Sequence, residues 1–521
     1  MDAPSPIHFL VYDEPQLFTD NALIECCRAV TRRWYKPERH PTPVLTSDRP
    51  WEEGLYFTYS NYTVRHDPED GLIKCWYEDL GPRDGKTHGF HNSLLYARSE
   101  DGITFTKPEL DVCTVDGQAT NIVMGYAKGG PATPVNPWAE EGVHSNTILI
   151  DPHAATADER FRTVFSHCKQ RGDKWMHITS GAHSPDGIHW TPYDERPSYG
   201  TARDNLSDVS CLWYDEDSRE FVQNTRHGRM TNAAPRPPET PRQTGGWFGI
   251  YYPHRPDLMN KRRIFQSRSH DFIHWSEPLE ICRPDDEVDN LDEAYYGMPQ
   301  FRVGRQFFGL LGVFQFTDNR MVVRLMQSRD GLNWRPADNA TPFLEPRGPR
   351  HWDAHMVSMT SPPVERGSEW WFYHGGTNSH HDWWMSGKEE LDTWEARHPE
   401  RIQFQMGLAT LRKEGFASLS AGPLRDGMVQ TRALVAEGNR LLVNARCEPG
   451  GSVRVALVDA SGTPMGSCDV ESCDAFTGDD VAHCVSWQGV ADLPVLDGKT
   501  RPKLLFVLRN AHLYSFRFAK A

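Results

Sequence analysis

The sequence predicts an all-β molecule: a five-bladed β-propeller followed by a C-terminal β-sandwich. Three observations lead there. A seven-residue pattern recurs four times between residues 99 and 334, five pairs of strand-like segments run alongside it, and the composition favours aromatic and turn-forming residues, with 17 Trp, 17 Tyr, 24 Phe, 41 Gly and 38 Pro in 521 residues. The expected boundaries are a lead-in of residues 1–45 packed on the propeller, the propeller at 46–424 and the sandwich at 425–521.

The repeat is Ser-x-Asp-(Gly/Phe)-x-x-(Trp/Phe). It reads Ser99-Glu-Asp-Gly-Ile-Thr-Phe105, Ser184-Pro-Asp-Gly-Ile-His-Trp190, Ser269-His-Asp-Phe-Ile-His-Trp275 and Ser328-Arg-Asp-Gly-Leu-Asn-Trp334, with a degenerate fifth copy at Arg412-Lys-Glu-Gly-Phe416. Asp-Gly makes a tight turn, because glycine accepts positive φ and aspartate bonds back to its own backbone. The closing aromatic packs on the next strand. Each copy is therefore expected to be the hairpin between the two outer strands of a four-stranded blade, a structural device with no catalytic weight.

The first strand of each blade is expected to begin near Trp51, His144, Asp208, Asp292 and Trp352. Second strands follow at Lys74–Tyr77, Arg160–Phe165, Glu220–Val222, Phe307–Leu311 and Trp370–Tyr373. Trp213, Trp370 and Trp371 are read as packing between blades. Two Pro/Gly-rich insertions, Gly125–Gly142 and Gly228–Gly246, are expected as long loops over one mouth of the ring. After Gly422 the repeat stops and short alternating strands take over, among them Arg440–Ala445, Ser452–Val458 and Lys503–Leu508. Residues 21–33 are read as one helix.

The formal charge is −15, from 56 basic and 71 acidic residues. That argues against nucleic acid or an anionic membrane as the partner. The opening residues carry no basic, apolar leader, so a cytoplasmic location is expected. The 11 Cys are scattered and show no CxxC pair, which points to free thiols; a pair among Cys468, Cys473 and Cys484 is the one exception considered.

Side chains at the first-strand starts converge on one mouth. Glu52, Asp208, Glu293 and Asp353 give four of the five blades a carboxylate at the same place, and the second blade offers His144 and Asn146. Facing carboxylates in a cleft divide into a general acid and an ionised partner, the pair that glycosidic cleavage requires. Trp51, Tyr295, Tyr296, Trp352, Trp383 and Trp384 offer rings that stack on sugar faces. Arg226 and His351 are further substrate-binding candidates, and Arg347 and Arg350 are hints of a basic pocket. Histidine clusters occur at His351-x-x-x-His355 and His380-His381-Asp382. No cofactor is expected; a Ca²⁺ ion in the channel is conceivable.

This layout resembles the five-bladed glycoside hydrolases of families 32, 43, 62 and 68, and is similar in domain order to family 32. The segment Ser207-Asp208-Val-Ser-Cys-Leu-Trp-Tyr-Asp215 looks like the family's middle-blade Asp and its strand. Glu293 before Tyr296-Gly-Met-Pro-Gln-Phe301 looks like the acid Glu, offset by several residues. Pro50-Trp51-Glu52 stands where family 32 has its first-blade Trp-x-Asn-Asp-Pro, with Glu in place of Asp. The resemblance implies a hydrolase of a small or exo-presented sugar. The alternatives are a non-catalytic carbohydrate-binding propeller, or a phosphorylase or lyase on the same fold. The repeated hairpins also resemble sialidase Asp-boxes, but sialidases imply six blades.

Overall fold

Alternation of apolar and polar residues, broken by Ser-x-Asp turns, builds one blade after another along the chain. The computed structural model describes residues 9–11, 13–57, 60–81, 92–125, 143–171, 174–200, 209–226, 262–285, 287–290, 292–315, 318, 320–380, 394–494, 496–497 and 501–520. Blade 1 is Leu55–Tyr56 with Tyr62–His66, Ile73–Asp79, Ser93–Ser99 and Ile122–Gly125. Blade 2 is His144–Ile150, Phe161–Arg171, Lys174–Ser184 and Thr191–Pro192. Blade 3 is Ser210–Asp215, Glu220–Thr225, Ile264–Ser269 and Leu279–Cys282. Blade 4 is Glu293–Tyr295 with Gln300–Val303, Gln306–Gln315, Arg320–Ser328 and Pro342–Leu344. Blade 5 is Met356–Ser358 with Val364–Arg366, Glu369–Thr377, Phe404–Arg412 and Glu38–Arg39. All five inner strands begin within four residues of the starts expected from sequence.

The outer strand of blade 5 comes from the lead-in. Arg39 pairs with Ala409 and Glu38 with Thr410, so the chain closes its own ring across most of its length. Apolar side chains fill the joints between blades. Trp76, Leu94 and Tyr96 pack on Phe161 and Phe165 between blades 1 and 2. Leu149 and Val164 pack on Leu212, Phe221 and Phe272 between blades 2 and 3. Trp213 meets Phe307 between blades 3 and 4, and Trp370 is buried, which agrees with the packing role read from sequence. Main-chain-directed bonds cross the centre: Arg65 of blade 1 donates to Ile148 O of blade 2 and Leu212 O of blade 3, both at 3.0 Å.

The recurring motif is the turn after the third strand of blades 1 to 4, and its bonds repeat from copy to copy. In blade 2, Ser184 Oγ donates to Asp186 Oδ1 at 3.0 Å and accepts from Gly187 N at 2.9 Å. Asp186 Oδ1 also accepts from the amides of Ile188 and His189, each at 2.8 Å, and Trp190 Nε1 donates to Gly187 O at 3.1 Å. The fourth position needs positive φ, which is +79°, +78° and +74° at Gly102, Gly187 and Gly331. At Gly187 the need is double, because a Cβ there would lie 2.5 Å from the Trp76 ring. Blade 3 places Phe272 in this conformation, at φ +69°, and offsets the strain by burying its ring against Phe221 and Trp275.

These turns sit at one end of the ring. The inner strands start at the other end, where Gly125 and Val143, and Arg226 and Arg262, flank the two insertions. Apart from Gly125, both insertions lie outside the described residues, as do Trp383 and Trp384.

The second domain is a sandwich whose main sheet is built around Arg440–Val458 and Lys503–Ala519, which pair antiparallel along most of their length. Residues 21–33 are not a helix. Ile24–Arg28 pairs with Gly427–Thr431, and Thr31–Trp34 pairs with Ala417–Ala421. A sheet edge on each side supplies the backbone partners that a helix would find within itself. Ten of the eleven cysteines are free thiols, Cys468, Cys473 and Cys484 included.

Asp20, in the lead-in, ties this domain to blade 4. Its carboxylate accepts from Arg329 at 2.8 Å and Arg335 at 3.0 Å. Burial acts to raise its pKa, but the bonds and charge of Arg329, the Ala22 amide and Arg335 outweigh it and hold the carboxyl below its ordinary 3.8. A depressed folded value means the stabilisation is complete above the unfolded value and is lost as pH falls through the folded one. Asp20→Asn is expected to cost about 1 kcal/mol at neutral pH. The gap from wild type should close as pH falls below 3.8, read as urea midpoints across an acid series.

Candidate functional site

At the mouth where the inner strands start, the sequence-nominated groups separate into several buried clusters and one open pocket. The carboxylates are not gathered as free acids in one cleft. Glu52 is buried, accepts from Lys107 at 2.7 Å and Tyr77 OH at 2.8 Å, and also accepts from the amides of Asp48 and Arg49. Trp51 beside it donates Nε1 to Asn121 Oδ1 at 2.8 Å and is buried. This knot fastens the entering chain to blade 1. Both side chains are buried in it.

Glu293 is 1% exposed and accepts at both oxygens. Oε1 takes Asn290 Nδ2 and Gln315 Nε2, each at 3.1 Å; Oε2 takes Asn290 N at 3.2 Å and Arg324 at 2.7 Å. All four of these donors belong to the chain itself. Arg324 also bonds Asp289, which accepts from Tyr295 OH at 2.7 Å. Tyr295 is thus part of the same buried network. Tyr296 is fully buried between two guanidinium groups, Arg226 at 4.2 Å and Arg262 at 4.3 Å from its ring centre. Its ring faces carry cations, so they present no sugar platform.

Asp353 is fully buried, bonded to Arg347 Nε at 2.8 Å and 3.8 Å from Arg39. It lies beneath the ring closure, since Arg39 belongs to the lead-in strand of blade 5. Asp208 is outside the described residues; Val209 and Ser210 behind it begin the inner strand of blade 3.

His144 and Asn146 do converge, but on a residue the sequence reading missed. Glu78, fully buried at the end of the second strand of blade 1, accepts from Asn146 N at 2.8 Å, Asn146 Nδ2 at 3.1 Å and Asn61 Nδ2 at 2.7 Å. His144 Nδ1 lies 2.9 Å from its Oε2, with the His144 side chain 20% exposed. Looking only at first strands could not find Glu78.

The open pocket lies between blades 4 and 5 and has a volume of about 950 Å³. Its walls come from the segment that enters blade 5 (Arg350, His351, Trp352, His355), from Asp318 and Arg320 of blade 4, and from His380 and Arg401 further along blade 5. Trp352 stacks on His374 at 5.6 Å and 10°. Burial, then the charge of Arg39, pushes the His374 imidazole down to about 3, so a neutral ring supports the indole. The two sequence-nominated residues His351 and Trp352 do share this wall. Neither His351 nor His355 lies on a strand; turns around 350–354 bring both to the pocket.

His355 and His380 have ring centres 4.2 Å apart. Burial, then the nearby His380, pushes His355 down to about 4, so it is neutral at pH 7. His380 is held differently. Its Nδ1 bonds Glu395 Oε1, and its amide reaches the same oxygen at 3.0 Å. Glu395 is 1% exposed and the His380 side chain 38%. Burial acts to raise Glu395, and the bonds from His380 outweigh it and keep the carboxyl ionised. A buried carboxylate behind a half-exposed imidazole fixes the tautomer and leaves Nε2 for a ligand. The sequence flagged the histidines of this pair; Glu395, carried on the short helix Trp394–Arg397, gave no signal. Among the described residues no three His, Cys, Asp or Glu are grouped to hold a metal ion, and no helix is long and apolar enough to cross a membrane.

No protein-family model and no curated protein matches the sequence. Solved structures similar to this chain include an N-acetylgalactosamine deacetylase from F. plautii, at 14% identity over 74% of this chain and 96% of that one, with a TM-score of 0.43. A thermostable family-43 glycoside hydrolase is similar at 10% identity over 72% and 96%, with a TM-score of 0.44. An α-L-arabinofuranosidase from Lactobacillus brevis is similar at 10% identity over 69% and 92%, with a TM-score of 0.41.

Proposed function

We propose that this chain is a carbohydrate-active enzyme, a glycoside hydrolase acting on a small or exo-presented sugar in the pocket between blades 4 and 5. The pocket carries the reading. It is about 950 Å³ and combines an indole wall with convergent polar groups, the composition of a sugar site. His380, with its tautomer fixed by Glu395, moves the proton at the glycosidic oxygen. Asp318, exposed on the same wall, takes the proton of the attacking water. Glu52, Glu293 and Asp353 act as supports, each bound to a Lys or Arg.

That last observation also favours a second reading, a non-catalytic carbohydrate-binding propeller. A hydrolysis screen over aryl glycosides and oligosaccharides, with arabinosides, fructosides and uronides included, separates the two. Product formation is the expected result. Calorimetric binding with no product after long incubation would establish the second reading instead. Asp318→Asn and Asp208→Asn in the same screen distinguish the two candidates for the base: the one that serves loses turnover while still binding.

A further inference from the structure

The pocket wall has a charge opposite to that of the chain. The protein carries −15 overall, yet among the described residues the pocket is lined by Arg320, Arg350 and Arg401 against one carboxylate, Asp318. The histidines do not set this balance: His355, at least, is neutral. Resting on the carbohydrate reading above, we propose that this pocket takes a sugar bearing a negatively charged substituent, held by Arg320 and Arg350 beside the Trp352 ring.

Arg320 opens the third strand of blade 4, where Arg320 and Gln315 pair across the hairpin. Its position is therefore fixed by a sheet. Among the described residues its Nε has no acceptor and its guanidinium forms no ion pair with a carboxylate. Two other arginines of the mouth are committed to carboxylates: Arg324 to Glu293 and Asp289, and Arg347 to Asp353. Arg350 is held at φ +78°, a conformation L side chains avoid, in the turn where the His351 amide reaches back to Gly348 O at 3.4 Å. Strain of this kind is kept where the surrounding structure over-determines a residue, commonly at a binding site. A guanidinium matches the two oxygens of a carboxylate or phosphate with parallel N–H bonds, which a neutral hydroxymethyl group cannot accept. The indole beside it, stacked on His374 and with Arg347 5.8 Å from its ring centre, supplies an apolar edge that an inorganic anion would not use.

The test is titration of the full chain by calorimetry with galacturonate and glucuronate, their neutral parents galactose and glucose, glucose 6-phosphate, and inorganic sulfate. An anionic sugar is expected to bind at least about tenfold more tightly than its neutral parent. The uronate and phosphate arms show which substituent supplies the charge. Arg320→Ala is expected to erase the preference while binding of the neutral parent persists. Arg350→Ala, at an exposed turn, gives a second reading if the first variant does not fold. Equal binding of charged and neutral sugars overturns the inference and leaves the carbohydrate reading standing. Sulfate binding as tightly as any sugar also overturns it. Binding of no sugar, charged or neutral, overturns the carbohydrate reading itself.

Discussion

His380→Ala is expected to lower kcat on the sugar substrate by about 10²–10⁴-fold, the range for loss of a positioned proton-transfer group. The blade strands should remain, because His380 lies beyond the strand Glu369–Thr377 and its side chain is more than one-third exposed; the loss of a partner for the buried Glu395 carboxylate is read separately, as a lowered denaturant midpoint. Glu395→Gln is the finer test. The amide keeps the size of the carboxylate but removes the charge that fixes the His380 tautomer. It is expected to lower kcat by a smaller factor and to displace the pH profile of kcat, with KM little changed. Steady-state rates across a pH series read both. Full kcat in His380→Ala would sink the proton-transfer role, and a change in KM alone would make the pair a binding element.

The second large effect is on stability. Arg324→Leu is expected to cost about 3–5 kcal/mol, because it leaves the buried carboxylates of Glu293 and Asp289 without their shared cation. Adding Glu293→Gln and Asp289→Asn to the same chain should recover much of the loss, since the penalty belongs to the uncompensated charge and not to the missing contact. Denaturant midpoints of the single and triple variants measure this. If Glu293 were instead the proton donor of the reaction, Glu293→Gln alone would abolish turnover with stability unchanged. The four bonds its carboxylate accepts argue for a structural part.

The carboxylates at the strand starts were legible as a pattern, and their chemistry was not. Glu52, Glu293 and Asp353 occur where the repeat places them. Lys107 and Arg324 come from other strands and turns, 55 and 31 positions away, and no local rule joins them to Glu52 and Glu293; Arg347 lies six positions before Asp353 in the same connecting segment. An isolated buried acid and one fully bonded to a cation look identical in sequence, yet they differ in whether a proton is available. The converse holds for His355 and His380. Their clusters stood out, but the contact between the rings requires blade 5 to fold back on itself over 25 positions.

By itself the sequence determined the blade count, the turns and the strand starts. These are local: Ser-x-Asp-Gly bonds close within seven residues, and alternation sets which face of a strand is buried. Tertiary structure alone decided the rest. It placed Glu38–Arg39 as the strand that closes the ring and turned residues 24–34 into sheet instead of helix. It also set Glu78 beneath His144, and Arg320 free on the pocket wall. Each depends on pairing between distant segments, where backbone partners and buried charges are satisfied only once the ring has closed.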